Sequence, residues 1–164
     1  MGVFDDTARQ ACKVSGPGLV GWLLWRFEPP PALAFESWDD ARRTTWPGGP
    51  ERTDDVVAIL RRLDVPGERA YLIVENETEP ADDTLHRLGV YELLLAREVL
   101  PAGGGEPPTV GSVLIRLTGT EPARKPRLGI PGTGRGSRPD PVEVLLARES
   151  APNTLAAIDR KSVV

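Results

Sequence analysis

Tyr71-Leu72-Ile73-Val74 is the run that most constrains this chain: four consecutive aromatic or branched apolar side chains, introduced by Gly67-Glu68-Arg69 and too few to make a helix. Such a run reads as a strand buried on both faces. Side chains alternate along a strand, so Glu75 and Glu77 continue the face of Tyr71 and Ile73 until Pro80 ends it. Two carboxylates then leave the core side by side, with α-carbons about 7 Å apart for a two-residue strand repeat. Like charges at the mouth of an apolar strand need a cation, an arginine or water to compensate them. The plainer alternative is a polar strand end that meets solvent.

The rest of the chain can be set around this strand. Residues 1–16 are polar and read as a flexible N-terminus or a first short helix around Thr7–Val14. Leu19–Phe27 is apolar in nearly every helical direction and predicts a buried helix closed by Pro29-Pro30-Pro31, with Trp22 and Trp25 packed on one face. Ala32–Trp38 and Ala41–Trp46 flank Asp39-Asp40 and suggest a β-hairpin. Thr53–Leu60 is a strand, and the short turn at Val65-Pro66-Gly67 makes it an antiparallel neighbour of the Ala70–Glu77 strand. Asp55, at the start of one, and Glu75, at the end of the other, are thereby brought to the same sheet edge. Asp82 or Asp83 caps a helix running to about Val99, and Thr109–Thr118 returns as a strand parallel to Ala70–Glu77. Residues 17–120 thus form the core and 121–141 a linker rich in Pro, Gly and Arg. Residues 142–164 read as a strand-helix segment that stops, at Lys161-Ser162-Val163-Val164, short of a complete fold.

Composition narrows the function classes. A single cysteine, Cys12, forms no internal disulfide, and no Cys/His cluster is present for zinc, which suits a reducing compartment. No run is long enough to span a bilayer and the first residues carry no signal-peptide pattern, so a cytoplasmic protein without a membrane partner is expected. The net charge of -4 argues against a chain that coats nucleic acid indiscriminately, yet it is unevenly spread. Residues 51–100 hold 12 acidic and 6 basic side chains, whereas 121–164 hold 5 acidic and 8 basic, so the tail is the phosphate-facing part. Arg124, Lys125, Arg127, Arg135 and Arg138 there could touch DNA, or simply be solvated. Gly132-Thr133-Gly134-Arg135-Gly136-Ser137 lacks the Gly-Lys-Ser/Thr ending and the strand-then-helix context of a phosphate loop, and reads as linker. The lone histidine, His86, reads as a solvent-facing helix residue ahead of a general base, and Glu36 as a surface carboxylate ahead of a further ligand.

An Asp on one strand and Glu-x-Glu on the next is a set of hard oxygen donors of the kind that magnesium-dependent phosphodiester chemistry uses. In order, TDDVVAIL (53–60), YLIVENETEP (71–80), LHRLGVYELLLARE (85–98) and SVLIRLTG (112–119) resemble the PD-(D/E)XK nuclease superfamily. The nearest likeness is to uncharacterised bacterial proteins related to the recombination-promoting nuclease and transposase group. The resemblance covers roughly residues 20–120, with a weaker echo in Val142–Arg160, and rests on the order of elements. It implies an α/β, restriction-endonuclease-like three-layer sandwich with a mixed central sheet and an α-β-β-β-α-β core. It also implies a Mg2+ or Mn2+ cofactor, Asp55 and Glu75 as metal ligands, Glu77 where the superfamily has its catalytic lysine, and DNA as the partner.

The departure from that pattern is at the lysine, since none occurs between Lys13 and Lys125. Glu77 in its place favours a bound cation but weakens stabilisation of an anionic transition state. Two readings stay open: a magnesium-dependent DNA endonuclease, and a catalytically inactive remnant of a mobile-element nuclease that keeps the fold and at most binds DNA or a second copy of itself. A small-molecule binding module has no residue pattern in its support.

Overall fold

The computed structural model describes residues 14–39, 44–45, 51–52, 56–78, 83–119, 121–122 and 142–149. Its centre is the strand anticipated around Tyr71–Val74. Arg69–Glu77 (β5) is flanked on one side by Val56–Arg62 (β4), antiparallel to it, and on the other by Thr109–Arg116 (β6), parallel to it. Leu33–Trp38 (β1) pairs antiparallel outside β4, and Val142–Leu145 (β7) parallel outside β6, giving a five-stranded mixed sheet in the order β1-β4-β5-β6-β7. Thr44–Thr45 (β2) and Glu51–Arg52 (β3) form a separate two-stranded ladder.

Among the described residues two α-helices lie on opposite faces of this sheet. Gly16–Leu24 (α1) buries Val20, Trp22, Leu23 and Leu24 against Ala58, Leu60, Leu72, Val74, Val113 and Ile115. Thr84–Glu98 (α2) buries Leu85, Leu88, Tyr91 and Leu95 against Val57, Ile73 and Leu114. Alternation along β5 therefore sends Leu72 and Val74 to α1, and Ile73 to α2, as its sequence requires. Chain termini of these elements are also joined: Arg26, just after α1, stacks 4.7 Å over the Trp22 ring and bonds Glu149 at 2.8 Å, beyond β7. Among the described residues no helix is long and apolar enough to cross a membrane.

Three local expectations are corrected. The hairpin around Asp39-Asp40 does not form: β1 pairs with β4, Asp39 N–H donates to Val57 O at 2.8 Å, and Thr44–Thr45 pairs with Glu51–Arg52. β4 presents Ala58 and Leu60 on the face where Leu33 and Phe35 pack, an apolar surface that a Thr-Thr segment lacks. Trp22 and Trp25 do not share an environment, the first being 6% exposed and the second 59%, because α1 ends at Leu24 and Trp25 leaves the packed face. The helix also begins earlier than its apolar run, at Gly16, since Pro17 is tolerated in a first turn where its missing N–H costs nothing.

A candidate acidic site at the carboxyl ends of the parallel strands

The parallel strands β5, β6 and β7 end at one edge of the sheet, and α2 starts there. Glu75 and Glu77 leave β5 on the α2 face, as the alternation predicts. Glu75 is only 5% exposed, and Glu77 is half-buried. An unpaired carboxylate so placed would be strongly disfavoured, and its compensation comes from α2. Arg87 Nη2 donates to Glu77 Oε1 and stands 3.9 Å from Glu75 Oε1, while its Nε lies 3.9 Å from Asp83 Oδ1, one helical turn back. Thr84, fully buried, donates its hydroxyl to Glu77 Oε2 at 2.7 Å and accepts from Arg87 Nη2 at 3.3 Å. Burial works against the charge of Arg87, but the carboxylates of Glu77, Glu75 and Asp83 outweigh it and hold the guanidinium above its ordinary pKa.

The polar layer continues across the sheet. Arg116 is the register partner of Glu77 on β6; it donates to Glu121 O and lies 3.5 Å from Glu143 Oε1 on β7. Leu117 N–H donates to Glu77 O and the Thr118 hydroxyl to Thr78 O, fastening the two strand ends together.

Of the three carboxylates singled out in the sequence, the structure thus brings Glu75 and Glu77 together. Asp55 lies outside the described residues; the β4–β5 register is described as far as Val56 opposite Val74, one pair short of it. Among the described residues no group of three or more His, Cys, Asp or Glu side chains is arranged to hold a metal ion. Glu75 fits the part of a hard-cation ligand, being a buried strand-end carboxylate. Glu77 does not, because Arg87 and Thr84 engage both its oxygens.

No family model, curated protein or solved structure matches the chain. His86 is exposed beside Arg87, and Glu36 is an exposed carboxylate paired with Arg69 at the opposite end of β5, so neither joins the acidic pair. Trp38 packs edge-on against Phe35 with ring centroids 5.1 Å apart, while Trp46 and the arginines of 123–141 lie outside the described residues. Sequence reasoning passed over Arg87, Thr84 and Arg116. The only signal for the first was the i, i+4 spacing of Asp83 and Arg87 at a helix start.

Proposed function

We propose that this chain is a DNA-directed phosphodiesterase domain of the PD-(D/E)XK type, with a restriction-endonuclease-like core. Asp55 and Glu75 would be the ligands of Mg2+ or Mn2+, and Glu77 a group that orients the site. The observation that carries the reading is the buried Glu75 at the carboxyl end of β5, with Glu77 two residues on. The run α1-β1-β4-β5-α2-β6, which follows the α-β-β-β-α-β order apart from the small β2–β3 ladder, supports it. The cation when bound would acidify a water and draw charge from the phosphate. The protein's own part is positional: Thr84 and Glu77 hold Arg87, a fixed charge beside Glu77, the residue that would stand at the lysine position of the pattern. A guanidinium does not give up its proton, so Arg87 can offset negative charge but cannot serve as a base. The reading requires the β4–β5 register to continue by one pair, placing Asp55 opposite Glu75.

Plasmid nicking in the presence of Mg2+ or Mn2+ tests it: cleavage is expected from the unaltered chain and is lost in D55A and E75A. Nicking that survives D55A, or that proceeds unchanged in a chelator, removes the catalytic claim. The closed ion pairs around Arg87 favour one second reading, a non-cutting remnant that retains the fold. Nicking absent from the unaltered chain and still absent in E77K supports that reading.

A further inference from the structure

α2 carries a second row of side chains besides the one that packs on the sheet. His86, Val90, Leu93, Arg97 and Leu100, the last just past the helix end, follow one another at alternating spacings of four and three residues, the period of a coiled-coil seam. This row points away from Leu85, Leu88, Tyr91 and Leu95, which fill the core. Leu93 is 73% exposed and Leu100 50%, while Val90 is half-buried. Thr44–Thr45 approaches α2, yet leaves Leu93 in water. The other exposed large apolar side chains described, Val14, Trp25 and Leu63, lie before α1, after it and after β4, without such a spacing. A single exposed leucine needs no explanation, but a spaced row along one helix face marks a contact surface.

Charges at the two ends of the row select the occupant. Asp83 continues the spacing backwards from His86, with its side chain 67% exposed, and Arg97 is exposed in the last turn. Val90 stands midway between them. The two charges are about 21 Å apart along the helix, so a partner must offer the opposite signs at the same span to meet both. A second copy of the chain does this by symmetry: a two-fold rotation near Val90 and Leu93 lays the negative start of one helix along the positive end of the other. The helix dipoles, opposed in such a pair, add to the attraction. We propose that the outer face of α2 is the interface of a two-fold homodimer, in which Val90 and Leu93 of the copies interleave and Asp83 of each faces Arg97 of the other. This stands independently of the metal reading. One helix of 15 residues presents less surface than the roughly 800 Å2 per partner of a standard interface, so the association is weak and reversible.

The experiment is sedimentation equilibrium of the full chain, L93E, R97D and D83R/R97D over about 5–500 μM at pH 7 in low salt, with folding followed by circular dichroism. A monomer–dimer equilibrium is expected of the unaltered chain. L93E and R97D should each weaken it at least about tenfold, and D83R/R97D, with both signs reversed, should return to within about threefold of the unaltered chain. A chain that stays monomeric to about 500 μM overturns the proposal, as does a dimer that L93E leaves intact. Dimerisation unchanged in R97D, or not recovered in a folded D83R/R97D, overturns it too, because the opposed charges then do not set the pairing. Asp83 also lies 3.9 Å from Arg87, so D83R can disturb the fold. If it does, C12S/V90C supplies the second measurement: a short bis-maleimide joins two copies through Cys at position 90 if the axis passes there, and no cross-link under dimer-forming conditions overturns the proposal.

Discussion

Thr84 holds the acidic site together out of proportion to its size. It is fully buried, and its one hydroxyl donates to Glu77 Oε2 while accepting from Arg87. Thr84→Val keeps the shape and deletes both contacts, leaving a charged acceptor short of a partner, so it should cost about 1–3 kcal/mol in urea denaturation. A second residue-scale test concerns Glu92, which burial pushes above the ordinary carboxylate pKa while the Ser112 hydroxyl, bonded to it at 2.6 Å, pulls the other way. Since the folded state holds this proton more tightly than the unfolded chain, its stabilising contribution is complete below the unfolded pKa and lost as pH rises through the folded one. Between pH 7 and pH 4 the melting temperature of the unaltered chain should therefore rise relative to that of E92Q; a constant difference would count against the shift. Glu75 and Glu77 were legible at this scale because alternation along a short apolar strand fixes their face. Arg87 was not, since Asp83 and Thr84 are local to α2 but its contacts with Glu75 and Glu77 are set by how α2 docks on β5.

The elements differ in how much of their placement is local. α2 and β6 could be read from the chain because a strand, a helix of apolar period and a second strand leave only a parallel crossover. β1 could not, because its partner was decided by competition between two segments: β4, with an apolar face, and the Thr44–Thr45 stretch, without one. What seats β1 against α1 is a close approach at Gly16, where an added Cβ would lie 2.7 Å from Phe35 Cζ and 3.0 Å from Trp38 Nε1. Both neighbours are ring atoms of the aromatic pair on β1, so there is little slack to absorb a side chain. Gly16→Val should destabilise by about 1–3 kcal/mol through overpacking, read from the denaturation midpoint. A variant as stable as the unaltered chain would mean that α1 and β1 are not packed at this distance.

At the scale of the molecule, the sheet separates two apolar layers that share no side chain, yet each strand of its middle contributes to both. Ile73 on β5 belongs to the α2 layer and Ile115 on β6 to the α1 layer. The register partner of Ile73 on β6 is Ser112, three residues before Ile115, so the two isoleucine side chains face opposite ways and stand well separated. Ile73→Val and Ile115→Val should each cost about 0.5–1.5 kcal/mol, and the double variant should equal their sum within about 0.5 kcal/mol. The polar layer at the strand ends should behave in the opposite manner. Once Arg87→Gln has removed the cation, Glu77→Gln loses much of its effect, so the E77Q/R87Q cycle should depart from additivity by about 0.5–3 kcal/mol. Both cycles can be measured by urea unfolding under one set of conditions, which makes the first an internal control for the second. Coupling in the isoleucine pair with additivity in the ion pair would contradict the layered core and the shared Glu77–Arg87 contact alike. The contrast in coupling follows from the mixed sheet, whose packing is divided between two faces while Glu75, Glu77 and Arg87 share one polar cluster at the end of β5.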